Sequence, residues 1–493
     1  MSTEYLTQSG LSHSAFVRPR LLSCYGDFQM KTFELKTLGC KVNQYESQAL
    51  RERLLGLGFK ESPEKAADIC IVNTCSVTRK AEADSLETVR AFNRNNPQAK
   101  IFVTGCSAQN SPEIIKRLNG VHAVLGNDQK ESLPVLLAAK DTPADASLNQ
   151  PEISAFHKHT RAFLKIQDGC NYGCSYCIIP KLRGASRSRQ LAQIVKEAKQ
   201  LADNGYKEIV LCGICLGAYG RDLGCKDGLI KVMEELERIE GLPRLRLSSI
   251  EASDVRPALI RKMGDSPKVC RHLHIPFQSG DDEILKLMRR KTLTDGYRRL
   301  IRALRRQSPY IGITTDIMIG FPGEKETNFK NTLNFLKEVR PSRIHIFPFS
   351  GRPNTPAYHF KDTIQNGIIK ERAKIMKALA KELAQDFYRE NLDRELDVLV
   401  EANSAKGLAN RPDGRGLASN SQSQGYSDNY IKVYIANANI PPNSLIKVKA
   451  DRLYQDGLLA KLRPLQNLNL VIARSVATKQ SPLEIASPLR GSQ

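Results

Sequence analysis

The stretch Cys170-Asn171-Tyr172-Gly173-Cys174-Ser175-Tyr176-Cys177 governs the reading of the whole chain. It follows a short strand-like run, Phe163 to Gln167, and the turn Asp168-Gly169. Three thiols in one tight loop can hold three irons of a 4Fe–4S cluster and leave the fourth iron open. Zinc is the main rival, but structural zinc takes a fourth ligand and usually paired Cys-x2-Cys arms. Buried or disulfide-forming cysteines are the bland alternative.

Outward from that loop, strand and helix alternate from Ala162 to about Phe349. Strands are expected at 162–167, 207–212, 244–249, 272–276, 312–320 and 342–348. Helices are expected between them, at about 188–204, 226–239, 255–264, 281–290 with 295–307, and 324–339. Six such units describe an incomplete TIM-type (β/α)6 barrel, whose active residues sit at the carboxyl ends of its strands. The Cys170 loop follows the first strand and Gly213 the second. Ser249 and Glu251 follow the third, Gln278 the fourth, and the turn Gly320-Phe321-Pro322-Gly323 the fifth. Glu251 and Gln278 read equally as cofactor contacts or strand caps. His272 and His274 share one strand face and read as packed, hydrogen-bonded interior.

Upstream, residues 30–140 alternate in the same way: strands at Lys31–Leu38, Asp68–Thr74, Lys100–Thr104 and Val121–Leu125, with helices at Gln44–Gly56, at Arg79–Arg94 and after Ser111-Pro112. This pattern implies a doubly wound parallel sheet. Cys40, Cys75 and Cys106 each lie just past the end of a strand. Strand carboxyl ends share one edge of a parallel sheet, so these three thiols would converge into a second metal site. The bland alternative is three separate small residues near turns. Cys70 lies inside a strand and reads as packing.

Residues 1–29 form an expected disordered extension, and 141–160, with His157 and His159, a polar linker. The barrel unit runs over 161–391 and ends in a long helix at 365–391. Short alternating strands at 394–401, 428–435, 444–450 and 455–462 suggest a small β-barrel over 392–463, interrupted by a Gly/Ser/Asn-rich flexible loop at 403–427. Residues 464–493 read as a disordered tail. The fold class is thus α/β, with a small β-barrel at its C-terminal end.

The 493-residue chain carries 74 basic and 52 acidic residues, a net charge of +22, which suits a polyanionic partner such as nucleic acid. It has no apolar run of about eighteen residues and no signal-peptide core, so a cytoplasmic protein with no membrane partner is expected. Its twelve cysteines should then be reduced, and their clustering favours metal over disulfide.

From about Met30 to Leu462 the chain resembles the radical S-adenosylmethionine (SAM) methylthiotransferase family. The resemblance rests on Thr37-Leu38-Gly39-Cys40-Lys41-Val42-Asn43-Gln44-Tyr45-Glu46-Ser47, Asn73-Thr74-Cys75-Ser76-Val77-Thr78, Val103-Thr104-Gly105-Cys106 and the Cys170 loop. It rests also on Leu247–Glu251, His272–Asp281 and Thr315–Gly323. It implies two 4Fe–4S clusters, one on Cys170, Cys174 and Cys177 that binds and cleaves SAM, one on Cys40, Cys75 and Cys106 that carries or donates sulfur. Glu251, Gln278, Gly213 and Ser249 would lie around the bound SAM. A 5′-deoxyadenosyl radical would abstract hydrogen from carbon 2 of a modified adenine, and a second SAM would methylate the sulfur. The C-terminal module would be a TRAM domain, a small RNA-binding barrel. The partners implied are tRNA at its anticodon loop, an electron donor such as flavodoxin or ferredoxin, and a sulfur donor. Lys41-Val42-Asn43-Gln44-Tyr45-Glu46 resembles the branch acting on N6-threonylcarbamoyladenosine; the isopentenyladenosine branch tends to carry Gln-Met-Asn there. The alternatives are methylthiolation of isopentenyladenosine or of ribosomal protein S12, and a non-catalytic iron–sulfur or zinc RNA-binding protein. Cys212 and Cys215 depart from the family pattern and read as packing, a redox pair or competing iron ligands being the sharper options; Cys225 and Cys270 have no evident partner.

Overall fold

Alternate residues of one short strand already separate two cores. In the computed structural model, Ile71 packs with Leu50 and Leu54, while its neighbour Val72 packs with Val89 and Phe92. The strand is covered on both faces, and its residues are accordingly buried throughout. The structure describes residues 31–62, 67–137, 152–156, 159–404, 422–436 and 438–462. The proposed extension 1–29, the tail 464–493, His157 and most of the linker and of the loop 403–427 lie outside the described residues.

The N-terminal unit is a parallel sheet of β1 (Thr32–Thr37), β2 (Lys60–Glu61), β3 (Ile69–Thr74), β4 (Lys100–Gly105) and β5 (Val121–Val124). Their order, β2-β1-β3-β4-β5, is doubly wound. The two-residue edge strand β2 was not expected, being too short to show a period. The helix after β1 begins at Lys41, directly behind Cys40, and not at Gln44.

The central unit contains β6 (Ala162–Asp168), β7 (Arg187–Ser188), β8 (Glu208–Gly213), β9 (Arg244–Leu247), β10 (His272–His274), β11 (Gly312–Ile319) and β12 (Arg343–Pro348). All but β7 run parallel, and bridges Leu245↔Val269 and Ser249↔His274 join the β6-β8-β9 group to β10-β11-β12. This is the expected six-stranded partial barrel. β7 adds an unexpected antiparallel pair to β6.

The helix Asn366–Arg389 sends Met376, Leu379 and Leu383 into the large core and Phe387 into that of the last module. That module is a closed barrel, β13-β14-β15-β17-β16, built from β13 (Glu395–Ser404), β14 (Gln422–Ser427), β15 (Lys432–Ile435), β16 (Leu445–Tyr454) and β17 (Gly457–Leu462). Here the sequence reading needs correction, because residues 422–427 are a strand and not part of a flexible loop. The inward positions of β14 are Ser423, Gly425 and Ser427, so no apolar alternation announces it. Both serine hydroxyls are satisfied: Ser423 Oγ donates to the Ala438 carbonyl at 2.9 Å and Ser427 Oγ to Asn429 Oδ1 at 2.6 Å.

The C-terminal module closes the amino-terminal mouth of the partial barrel. Tyr430 stacks on His272 with ring centroids 4.5 Å apart, and the guanidiniums of Arg246 and Arg161 lie 4.8 and 5.4 Å from its ring. Arg246 and Arg244 also grip Glu208, at 2.6 and 2.9 Å. Burial opposes the charge of Glu208, yet these arginines hold its carboxyl down to about 2.

Candidate active site

Gly39 explains how the first cysteine trio converges. Its φ is +98°, and a Cβ there would stand 2.7 Å from the Cys75 sulfur. Bare backbone therefore lets Cys40, which caps the helix Lys41–Gly56, sit against Cys75 just past β3. Cys106 opens the helix Cys106–Asn110 directly after β4. Burial pushes the Cys75 thiol up to about 11, and the nearby Cys106 and Cys40 add to the rise. Cys40 is exposed, whereas Cys75 and Cys106 are buried. Asn43 Nδ2 ties the loops together by donating to the carbonyls of Leu38 and Thr74, each at 2.9 Å.

The second trio depends on Gly169, where φ is +71° and a Cβ would stand 1.9 Å from the Ala185 carbonyl oxygen. Gln167 Nε2 braces the turn, donating to the carbonyls of Asp168 and Gly169 at 2.7 and 2.8 Å. Gly213 makes room for that brace, since a Cβ there would fall 2.8 Å from Gln167 Oε1. The backbone N–H of Tyr172 donates to Cys170 Sγ at 3.4 Å, and Arg290 Nη1 donates to Cys174 Sγ at 3.8 Å. Tyr176, just before the last cysteine, packs edge-on against the buried Phe321. The turn Gly320–Gly323 thus also supplies the floor of the cysteine loop. Burial pushes the Cys177 thiol up to about 12 and raises that of Cys174. Protons on such thiols would leave as metal binds.

Four residues, Glu251, Gln278, Gly213 and Ser249, were expected around a cofactor at the strand ends. Ser249 is exposed, and Glu251 keeps a quarter of its side-chain surface. Gln278 Oε1 is buried without a hydrogen-bond partner, and its residue adopts φ +68°, uncommon away from glycine. An unmet acceptor on a strained residue at a strand end fits the amino or hydroxyl groups of a ligand such as SAM. Sequence reasoning missed Arg290, whose two terminal nitrogens donate to the Glu251 carboxylate at 2.9 and 2.5 Å. It lies 39 residues beyond Glu251 in a stretch crowded with arginines, where nothing sets it apart. Cys215 also exceeds its expected packing role. Its S–H donates to Asp254 Oδ2 at 3.9 Å, and its nearness to Cys170 brings the Cys170 thiol down to about 7. Cys212 is buried in the large core.

The two trios are linked through an apolar contact between their domains. Cys106 packs with Ile178 and Leu182, on the segment directly after Cys177. Beneath them an ion cluster joins the two domains. Glu46 meets Lys130 at 2.5 Å, Lys165 at 2.8 Å and Arg183 at 2.9 Å, and Arg183 also donates to Asn43 Oδ1 at 2.5 Å. Burial opposes ionisation of Glu46, but the three cations outweigh it and hold its carboxyl well below the usual range. Replacing Glu46 with Gln is expected to cost about 3–5 kcal/mol, because three buried cations lose their shared partner. A depressed native value makes this stabilisation complete above the ordinary carboxyl pKa near 4.3 and lost as pH falls through the lower native value. Thermal unfolding of both proteins should therefore show a gap at neutral pH that narrows only below about pH 4. A gap independent of pH would contradict the ionised carboxylate.

The donor set suits a cluster better than one ion. Among the described residues, no three His, Cys, Asp or Glu side chains are placed to hold a single metal ion. Tetrahedral zinc would bring its sulfurs to about 3.8 Å from one another, whereas a cluster gives each thiolate its own iron.

Comparison with known proteins follows this division. Residues 164–336 match the radical SAM superfamily, and residues 32–126 match a family described as uncharacterized protein family UPF0004. The threonylcarbamoyladenosine tRNA methylthiotransferase MtaB of Bacillus subtilis is 37% identical over 434 residues, covering 85% of this chain and 94% of that one. A tRNA-2-methylthio-N(6)-dimethylallyladenosine synthase of Streptomyces coelicolor is 34% identical over 403 residues, covering 78% and 80%. The solved structure of the radical SAM methyltransferase TsrM from Kitasatospora setae shares the fold, with TM-score 0.50 at 14% identity over 66% of this chain and 77% of that one. The chain belongs to the radical SAM methylthiotransferase family.

Proposed function

We propose that this protein transfers a methylthio group to carbon 2 of N6-threonylcarbamoyladenosine, next to the anticodon in tRNA. The observation that carries this reading is the presence of two cysteine trios at strand ends of two adjoining domains, Cys106 packing against Ile178 and Leu182 after Cys177, in a chain alignable with MtaB over 85% of its length. Cys170, Cys174 and Cys177 would hold one 4Fe–4S cluster and Cys40, Cys75 and Cys106 the other, with Glu251, Gln278 and Ser249 as the residues that would contact SAM. Together with SAM, the first cluster supplies one-electron cleavage of the sulfonium and a carbon radical able to take an unactivated hydrogen. The chain's own residues orient and shield. Arg290 fixes Glu251 and donates toward Cys174. Tyr172 OH donates to Asp254 at 2.7 Å and holds the loop's outer wall. An external electron donor and a sulfur donor complete the turnover.

Lys447, Lys449, Arg452 and Lys461 lie exposed on β16 and β17, where a TRAM-type barrel would meet RNA phosphates. Anticodon-loop bases can be splayed out and read singly. Mass spectrometry of nucleosides from bulk tRNA, with and without the gene, tests the reading. The methylthio form of threonylcarbamoyladenosine should vanish without the gene and return with the intact copy. Loss of the methylthio isopentenyl nucleoside instead would move the chain to the other tRNA branch.

A further inference from the structure

One short strap touches both cysteine loops. Beyond β12 the chain runs through Ser350-Gly351-Arg352-Pro353-Asn354-Thr355-Pro356-Ala357 before it reaches the long helix Asn366–Arg389. At the start of the strap, Ser350 Oγ accepts from the backbone N–H of Arg79 at 3.0 Å, where the helix Arg79–Asn95 begins. Arg352 Nη2 donates to Ser76 Oγ at 2.8 Å and to Glu82 Oε2 at 2.7 Å. Ser76 directly follows Cys75. At the far end, the backbone N–H of Ala357 donates to the Ser175 carbonyl at 2.8 Å, and Ser175 directly follows Cys174. Eight residues thus connect the loop of one trio to the loop of the other.

The strap is held from within and at its ends. Pro353 and Pro356 fix their own φ angles, and Asn354 is turned to φ +69°. The Arg352 carbonyl accepts from the backbone N–H and the hydroxyl of Thr355, at 3.2 and 2.7 Å. Phe349, just before the strap, lies edge-on to Phe321 with ring centroids 5.3 Å apart. Ala357 is buried with Phe321 and Met288, in the cluster against which Tyr176 of the cysteine loop packs. Arg352 is 2% exposed, and its Nε is buried without a hydrogen-bond partner. Its one carboxylate, Glu82, is partly exposed. A guanidinium buried on those terms returns little net stability for the desolvation it costs. What it supplies is direction: two donated hydrogen bonds fix the loop after Cys75 against the barrel wall.

We propose that Arg352 is a positioning residue that sets the spacing of the two cysteine trios, so that a radical raised at the barrel loop and a sulfur held at the N-terminal trio meet on one substrate carbon. This rests on the methylthio-transfer reading given above. Arg352 touches neither a thiol nor the substrate. Transfer between two loops tolerates misplacement poorly, a shift of about 1 Å costing about 100-fold. Cleavage of SAM needs the barrel loop alone. A loosened strap should therefore waste radicals and leave their formation intact.

The test uses the full reconstituted chain with SAM, dithionite as reductant, sulfide as sulfur source and an anticodon stem–loop RNA carrying threonylcarbamoyladenosine. The quantity read is deoxyadenosine formed per methylthio nucleoside. Arg352→Met should leave iron content, deoxyadenosine formation and KM for the RNA unchanged and raise that ratio by about 10- to 100-fold. Arg352→Lys, which keeps a donor, should restore most of the coupling. Glu82→Gln should raise the ratio by a smaller factor. Electron paramagnetic resonance of the reduced chain should show an altered spin coupling between the two clusters in Arg352→Met and the original coupling in Arg352→Lys. An unchanged ratio in Arg352→Met overturns the proposal, as does an equal fall of deoxyadenosine and product, the mark of a merely structural residue. If Arg352→Met lost iron, an unchanged ratio in Glu82→Gln would overturn it alone. An unsubstituted protein that forms deoxyadenosine but no methylthio nucleoside on this RNA instead refutes the parent reading.

Discussion

Cys174→Ser should reduce deoxyadenosine formation from SAM to background and halve the iron bound per chain, because a serine hydroxyl is not a thiolate at neutral pH and about half of the cluster ligands' capacity is lost with its loop. The loop offers no substitute in place. Cys170 and Cys177 flank the lost ligand, while the Cys215 thiol donates to Asp254 Oδ2 at 3.9 Å. Refolding of the site is not the concern, since Ser175 and Tyr176 hold the loop through contacts independent of the cysteine. Ser175 Oγ donates to the Leu287 carbonyl at 2.7 Å, and Tyr176 rests on Phe321. Iron analysis and chromatography of the SAM products measure both effects. Undiminished deoxyadenosine would remove this loop from the chemistry and favour a non-catalytic iron–sulfur protein.

Cys75→Ser should separate the two half-reactions. Deoxyadenosine formation should stay within about threefold, while methylthio product falls by at least about 100-fold, more than the loss of an outer ligand partner causes. Cys75 is buried at the end of β3, and its backbone N–H and carbonyl are held by Ser85 and Ser107, so the backbone path survives the change. The predicted signature is SAM consumption without modified RNA, with iron again halved. If both activities fell together, the two trios would form one interdependent site and the division of labour between domains would be wrong.

The parts of this site that can be read from sequence are those whose chemistry is local or periodic. Cys170, Cys174 and Cys177 announce themselves by spacing alone. Cys40, Cys75 and Cys106 are legible because each follows a strand, and a parallel sheet brings such points to one edge. Arg290, Arg183 and Cys215 reach the site through partners far along the chain, at separations of 116, 137 and 39 residues for Arg290–Cys174, Arg183–Glu46 and Cys215–Asp254. No local pattern encodes such meetings. β14 is hidden for a different reason: a small closed barrel leaves room for serine and glycine inside, so burial there needs no apolar residue. The helix start at Lys41 was set three residues late because a cysteine caps it without a side-chain hydrogen bond, leaving no Ser, Thr, Asp or Asn to mark it.

The first two turns of one helix therefore answer to two domains at once. Cys40 belongs to the N-terminal trio, Asn43 ties the loops of that trio and accepts from Arg183, and Glu46 neutralises Lys165 and Arg183 of the barrel. The two domains are not interchangeable parts. A chimera that joined this barrel to an N-terminal domain lacking a carboxylate at position 46 would leave Lys165 and Arg183 without that partner at the seam. Recombination across residue 150 would be poorly tolerated wherever that carboxylate was lost, even with each half intact.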